Sequence, residues 1–381
     1  MRAIALIDGE HSPAVVRQAL AALPYEWVGA LLVGGSEKLR AGDGYGVPLV
    51  ASFDGAEVVV DLSDEPVLGP AERMRFASRA LAAGLPYLGA DFRFEPPRYA
   101  AWERPPLTIA VIGTGKRVGK TAVAGHLARL LARDRDVIVV AMGRGGPVNP
   151  ELVETPPTLA ELVALSRAGR HAASDHLEIA ALCGVPAVGC RRAGGGFAGQ
   201  VFVSNVLEGA WLAAEQRPDA IVFDSSGAAV PPVEVDRRVL VVGPGHDPDA
   251  YFNLYRRLIS DVVVSVGGEL DGAYPATLRL RPLEPLDGRV AVFTAGGVDV
   301  DGLDAEVVQV SRNLGDRDAL AEDLRHVDAD TYLVELKGAA IDAVAEHALA
   351  RGRRVVLAAN DVDAPALDDA LLALAPLAAH T

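Results

Sequence analysis

The chain has 381 residues, 50% of them apolar, and a formal net charge of −15. That length exceeds one typical core and implies two or three domains, and the acidity argues against nucleic acid as a partner, since gripping a phosphate polymer takes a broad basic surface. Two cysteines, Cys183 and Cys190, are too few for a disulfide framework or a closed zinc site.

No run approaches the roughly 18 apolar residues of a membrane helix. Met1 to Asp8 reads as a first strand and not as a secretory signal, so a cytoplasmic protein without a membrane partner is expected. Short Val/Ile/Leu/Ala runs recur at 3–7, 28–33, 57–60, 108–112, 137–141, 220–223, 239–242, 261–266, 289–293, 331–336 and 354–358, separated by helix-length segments. Continuous apolar strands alternating with helices predict an α/β fold with a mostly parallel sheet. Proline-rich breaks at 95–106 and 281–286 divide the chain into an N-terminal α/β domain over 1–100, a P-loop nucleotide-binding and catalytic domain over 105–282 and a smaller C-terminal α/β domain over 287–381. Ligands of open parallel sheets lie beyond the carboxyl ends of strands, which directs attention to the residues after each apolar run.

After the first strand, Asp8-Gly9-Glu10-His11 offers His11 as a substrate or metal contact; a polar turn explains the same residues. The strand Thr108 to Ile112 runs into Gly113-Thr114-Gly115-Lys116-Arg117-Val118-Gly119-Lys120-Thr121. Backbone N–H groups of such a loop face phosphate oxygens, Lys120 bridges the terminal phosphates and Thr121 coordinates Mg²⁺. The first glycine lies one residue earlier than in G-x-x-x-x-G-K-[ST], and the longer spelling resembles the loop of dethiobiotin synthetase. Between Glu103 and Asp134 the charged side chains are all basic, so the loop sits in a locally positive stretch.

The next strand leads into Met142-Gly143-Arg144-Gly145-Gly146-Pro147, where an arginine between glycines can bring a planar donor against a phosphate. Ser174-Asp175-His176-Leu177-Glu178 reads as a capped helix start. Gly189-Cys190-Arg191-Arg192-Ala193-Gly194-Gly195-Gly196 has the form of a second anion cradle in a stretch without carboxylates, with Arg191, Arg192, Gly194 and Gly195 as substrate contacts. Ala220-Ile221-Val222-Phe223-Asp224-Ser225-Ser226-Gly227 is a hydrophobic strand ending in an aspartate that can hold Mg²⁺. No Ser/His/Asp arrangement appears. Transfer of a phosphoryl group to an already anionic acceptor needs positive charge and alignment more than a base, which leaves Lys120, Arg144 and Asp224 as the catalytic candidates.

Taken together, the loop 113–121, the segments 142–147, 174–178 and 190–196, Val203-Ser204-Asn205 and Phe223 to Ala228 resemble those of the cyclic 2,3-diphosphoglycerate synthetase family. The likeness extends to Asp8-Gly9-Glu10 and Glu335-Leu336-Lys337 near the two ends. The resemblance implies use of ATP and Mg²⁺ to cyclise 2,3-bisphosphoglycerate with release of ADP and phosphate. It also implies Lys120 on the β- and γ-phosphates, Thr121 and Asp224 on Mg²⁺, and Arg144, Arg191 and Arg192 on the phosphorylated substrate, with Lys116 and Arg117 as further cations. Two other readings fit the motifs: another P-loop kinase or ligase acting on a phosphorylated acid, such as a 2-phosphoglycerate kinase, or a nucleotide-dependent switch or metallochaperone. Doubly wound chains of this size commonly dimerise, so a homodimer is expected.

Overall fold

The computed structural model describes residues 1–35, 38, 44–296 and 298–375, which form two compact units. The first comprises Met1–Arg98 together with Asp247–Ile259. Its strands β1 (Arg2–Ile7), β2 (Glu26–Leu32), β3 (Val58–Asp61), β4 (Tyr87–Leu88) and β5 (Arg93–Phe94) lie in the order β2-β1-β3-β4-β5. All pairs are parallel except β4 with β5. Ala3 to Ile7 are buried without a polar interruption, as a strand covered on both faces requires. The helices Pro13–Ala22 and Pro70–Ala82 both start on proline, whose missing N–H costs nothing in a first turn.

The second unit, Tyr99–His246 with Ser260–Thr381, is built on a thirteen-stranded sheet. In chain order its strands are β6 (Leu107–Gly113), β7 (Val137–Gly143), β8 (Glu151–Val153), β9 (Ala187–Ala193), β10 (Val203–Ser204), β11 (Ala220–Asp224), β12 (Arg237–Val242), β13 (Val262–Val266), β14 (Tyr274–Pro282), β15 (Arg289–Phe293), β16 (Glu306–Ser311), β17 (Thr331–Glu335) and β18 (Arg354–Asp363). They run β10-β9-β7-β11-β6-β12-β13-β14-β18-β17-β15-β16, with β8 on the side of β9. The helix Lys120–Leu131 lays Val123, Leu127 and Leu131 against Ile109, Val111 and Val222 of the sheet. As the alternating pattern predicts, the sheet is mostly parallel.

One register change shapes this unit. The first residues of β14 pair in parallel with the end of β13, Val264 with Tyr274 and Val266 with Ala276. The strand then runs past that edge and pairs antiparallel with β18, from Thr277 with Asp363 to Pro282 with Ala358. Because β17 and β15 lie parallel to β18, the carboxyl ends of the last strands turn back toward those of β6, β7 and β11. The proline-rich break at 281–286 therefore falls inside one compact unit, and 105–282 and 287–381 share a sheet. Among the described residues no helix is long and apolar enough to cross a membrane.

Candidate active site

Where the two sets of carboxyl ends face one another lies a cavity of about 860 Å³. The P-loop forms one wall. Gly113 closes β6, and a Cβ there would stand 2.7 Å from Lys120 Cδ, so only glycine lets the lysine fold back beneath the loop. Gly119 adopts φ 94° directly before the helix. Lys120 Nζ donates to the Gly115 carbonyl at 2.6 Å. Burial pushes its ammonium down, against the pull of Asp224.

Asp224, at the end of the neighbouring β11, is 0% exposed, and neither carboxylate oxygen has a hydrogen-bond partner of full geometry. Burial, then the charge of Asp175, push its carboxyl up, while Lys120 and the Thr121 hydroxyl draw it down. Uncommitted carboxylate oxygens beside a hydroxyl are the donor set a hard divalent cation prefers. The residues present thus fit Mg²⁺.

The remaining loop residues divide by role. Lys116 and Arg117 line the cavity; Arg117 sits at φ 62°, with its guanidinium against Gly315, where a Cβ has no room. Thr114 is turned away to His246, its Oγ1 2.9 Å from Nδ1, and the same imidazole closes over Gly115. Val118 is 2% exposed and packs on Gly243, so it belongs to the core beneath the loop.

Arg144 follows β7 and lines the cavity. Arg192 Nη2 donates to the Ser226 carbonyl at 2.7 Å and its Nη1 to the Gly194 carbonyl at 2.9 Å. Both guanidinium groups converge on Gly227: a Cβ there would lie 2.6 Å from Arg144 Nη2 and 3.0 Å from Arg192 Nη2. Burial and then the Arg144 charge lower the pKa of Arg192. Two cations converge on a buried glycine with φ 63°, a conformation L side chains rarely adopt, and such a pair of planar donors suits an anion. Arg191 is the next residue along β9, and successive strand side chains point to opposite faces. The pair therefore splits: Arg192 joins Arg144, whereas Arg191 is exposed and its N–H donates to Asn205 Oδ1 at 2.7 Å. Gly194 serves through its carbonyl, with Phe202 packed on its α-carbon, and Gly195 lies beside the Arg192 guanidinium. His11 belongs to the other unit, where its Nδ1 lies 3.0 Å from Asp8 and its Nε2 3.2 Å from Asp64.

The helix start expected to be capped over Ser174 to Glu178 forms a further wall of the cavity, together with the Glu335-Leu336-Lys337 turn that the sequence marks only by family likeness. Ser174 makes no side-chain cap bond, and its hydroxyl instead faces His176 Nδ1 at 3.2 Å. Asp175 and Glu178 both reach the cavity; their i,i+3 spacing on one helix face was the available signal. Lys337 Nζ, just after β17, pairs with Glu178 Oε1 at 2.8 Å. Burial pushes the Glu178 carboxyl up to about 7 even though Lys337 opposes it. Glu335 accepts from the Ala295 N–H and from Asn360 Nδ2, each at 2.5 Å.

A buried strand, a glycine loop opening a helix at Lys-Thr and an aspartate ending the adjacent strand define a P-loop nucleotide-binding protein of the α/β class. Models of three domains match the chain: the cyclic 2,3-diphosphoglycerate synthetase N-terminal domain over residues 2–95, its P-loop domain over 108–271 and its C-terminal domain over 300–361. The cyclic 2,3-diphosphoglycerate synthetase of Rubrobacter xylanophilus is 47% identical, covering 98% of this chain and 97% of the relative. That of Thermococcus gammatolerans is 38% identical over 97% and 96% of the two chains, and that of Methanothermobacter thermautotrophicus 36% over 97% and 95%. The chain belongs to the cyclic 2,3-diphosphoglycerate synthetase family of enzymes.

Proposed function

We propose that this enzyme uses ATP and Mg²⁺ to close 2,3-bisphosphoglycerate into cyclic 2,3-diphosphoglycerate, releasing ADP and phosphate. The observation that carries the reading is a single cavity bounded both by Lys120 of the phosphate loop and by Arg144 and Gly227 of the second cradle. It brings the phosphate-holding groups of two anions within reach of each other. The family relatives, named for this product, support the choice of substrate.

A bisphosphorylated acid carries about five negative charges near pH 7, given phosphomonoester second pKa values near 6. Its approach to a triphosphate is opposed by charge, and catalysis must supply cations and alignment. Arg144 and Arg192 hold one substrate phosphate over Gly227, and Lys120 holds the β- and γ-phosphates. An oxygen of that substrate phosphate attacks the γ-phosphorus and ADP departs. An oxygen of the neighbouring substrate phosphate then attacks the first substrate phosphorus. Inorganic phosphate leaves from it and the ring closes as a phosphoanhydride. Mg²⁺ held by Thr121 and Asp224 would supply charge neutralisation at the transferring group.

Phosphorus NMR of the enzyme with Mg-ATP and 2,3-bisphosphoglycerate tests the proposal. A cyclic phosphoanhydride signal growing in step with inorganic phosphate is expected. ADP formation from a phosphorylated acid without phosphate release would instead establish a simple kinase.

A further inference from the structure

The cavity has a corner that the phosphate chemistry does not use. It lies where β12 and β13 end, on the side of β6 opposite Asp224, and it is walled by Pro244, Val266, Leu278 and Val298. Leu278 approaches Gly119 of the phosphate loop, and a Cβ on that glycine would meet Leu278 Cδ1 at 3.2 Å and Val266 Cγ2 at 3.3 Å. A triphosphate whose outer end points toward Asp224 has its nucleoside end on this side. Apolar walls are what a planar base needs.

Asn360 completes the corner. It pairs with Leu280 across the β14–β18 ladder, two residues from Leu278 on the same strand face, and it lines the cavity. Its Nδ2 is committed to Glu335 at 2.5 Å, and Glu335 is itself held by the Ala295 N–H. That fixes which way the amide points: Oδ1 is left buried with no partner. At position 6 of a purine, an amide oxygen held in this way matches the exocyclic amino group of adenine. Guanine carries an oxygen at that position and would set acceptor against acceptor at Oδ1.

We propose that Asn360 reads the nucleotide base, its Oδ1 accepting a hydrogen bond from the 6-amino group of adenine and so selecting ATP over GTP. The inference rests on the cavity being a nucleotide site but not on the identity of the phosphorylated acid. It is tested by direct binding, without turnover, of ATP, purine riboside triphosphate (which lacks the 6-amino group), GTP and inorganic tripolyphosphate, each with Mg²⁺.

The wild-type enzyme should bind ATP on the order of tenfold more tightly than purine riboside triphosphate, the scale of one buried hydrogen bond, and GTP more weakly still. In Asn360→Ala and Asn360→Leu the first ratio should fall toward one while tripolyphosphate binds as in the wild type. Equal binding of ATP and purine riboside triphosphate by the wild type overturns the inference, as does a preference that survives both substitutions. If neither a nucleotide nor tripolyphosphate binds the wild type, the nucleotide reading itself fails, a result distinct from loss of base discrimination.

Discussion

Acidification from pH 7 to pH 5 should destabilise the catalytic unit through His176. This imidazole is 5% exposed and lies flat on β9, where a Cβ on Gly189 would stand 2.5 Å from Nδ1. Burial, opposed by the charges of Glu151 and Asp175 and reinforced by Arg170 and His171, holds its pKa near 4 against an ordinary 6.5. Between those values the unfolded chain binds a proton that the folded chain refuses, so stability is lost as pH falls. At pH 5 the unfolded imidazole is about 1.5 units below its pKa and the folded one remains neutral. At about 1.36 kcal/mol per unit this costs about 2 kcal/mol. Urea unfolding at the two pH values should show the wild type losing about 2 kcal/mol more than His176→Gln, which cannot titrate. His176 lies on the helix that carries Asp175 and Glu178 to the cavity. Equal losses in both proteins, or an imidazole pKa near 6.5 by NMR, would refute the reasoning.

The split of the two adjacent arginines predicts unequal effects. Arg192→Ala should raise KM for the phosphorylated acid about 10- to 100-fold, the scale of a charge-assisted hydrogen bond, with little change for ATP, while steady-state kinetics of Arg191→Ala should stay within a few-fold of wild type. Asp224→Asn removes a buried carboxylate with uncommitted oxygens; in thermal denaturation it should gain about 1 kcal/mol without ligands and lose the extra stabilisation that Mg²⁺ adds to ATP. Lys120→Met should reduce turnover on the order of 10²-fold or more, and an unchanged rate in a single-turnover assay would remove the lysine from the phosphoryl-transfer site.

Much of the site was legible in the chain because its parts are local. A glycine loop between a buried strand and a helix needs only neighbouring residues, and so does a strand that ends in Asp224. The α/β class followed from apolar runs whose length and spacing are themselves local facts. The opposition of Arg191 and Arg192 was also present in principle, since strand alternation decides it, yet it required knowing that β9 continues to Ala193. The far wall was different. Lys337, Glu335 and Asn360 share a cavity with the phosphate loop only because β14 overruns β13 and pairs antiparallel with β18. Register is set by long-range hydrogen bonding and by packing of both faces, neither of which leaves a mark in any short window of sequence. Residue types, loops and strand ends were thus determined by the sequence alone; which strand ends confront each other across the cavity was decided by the tertiary fold.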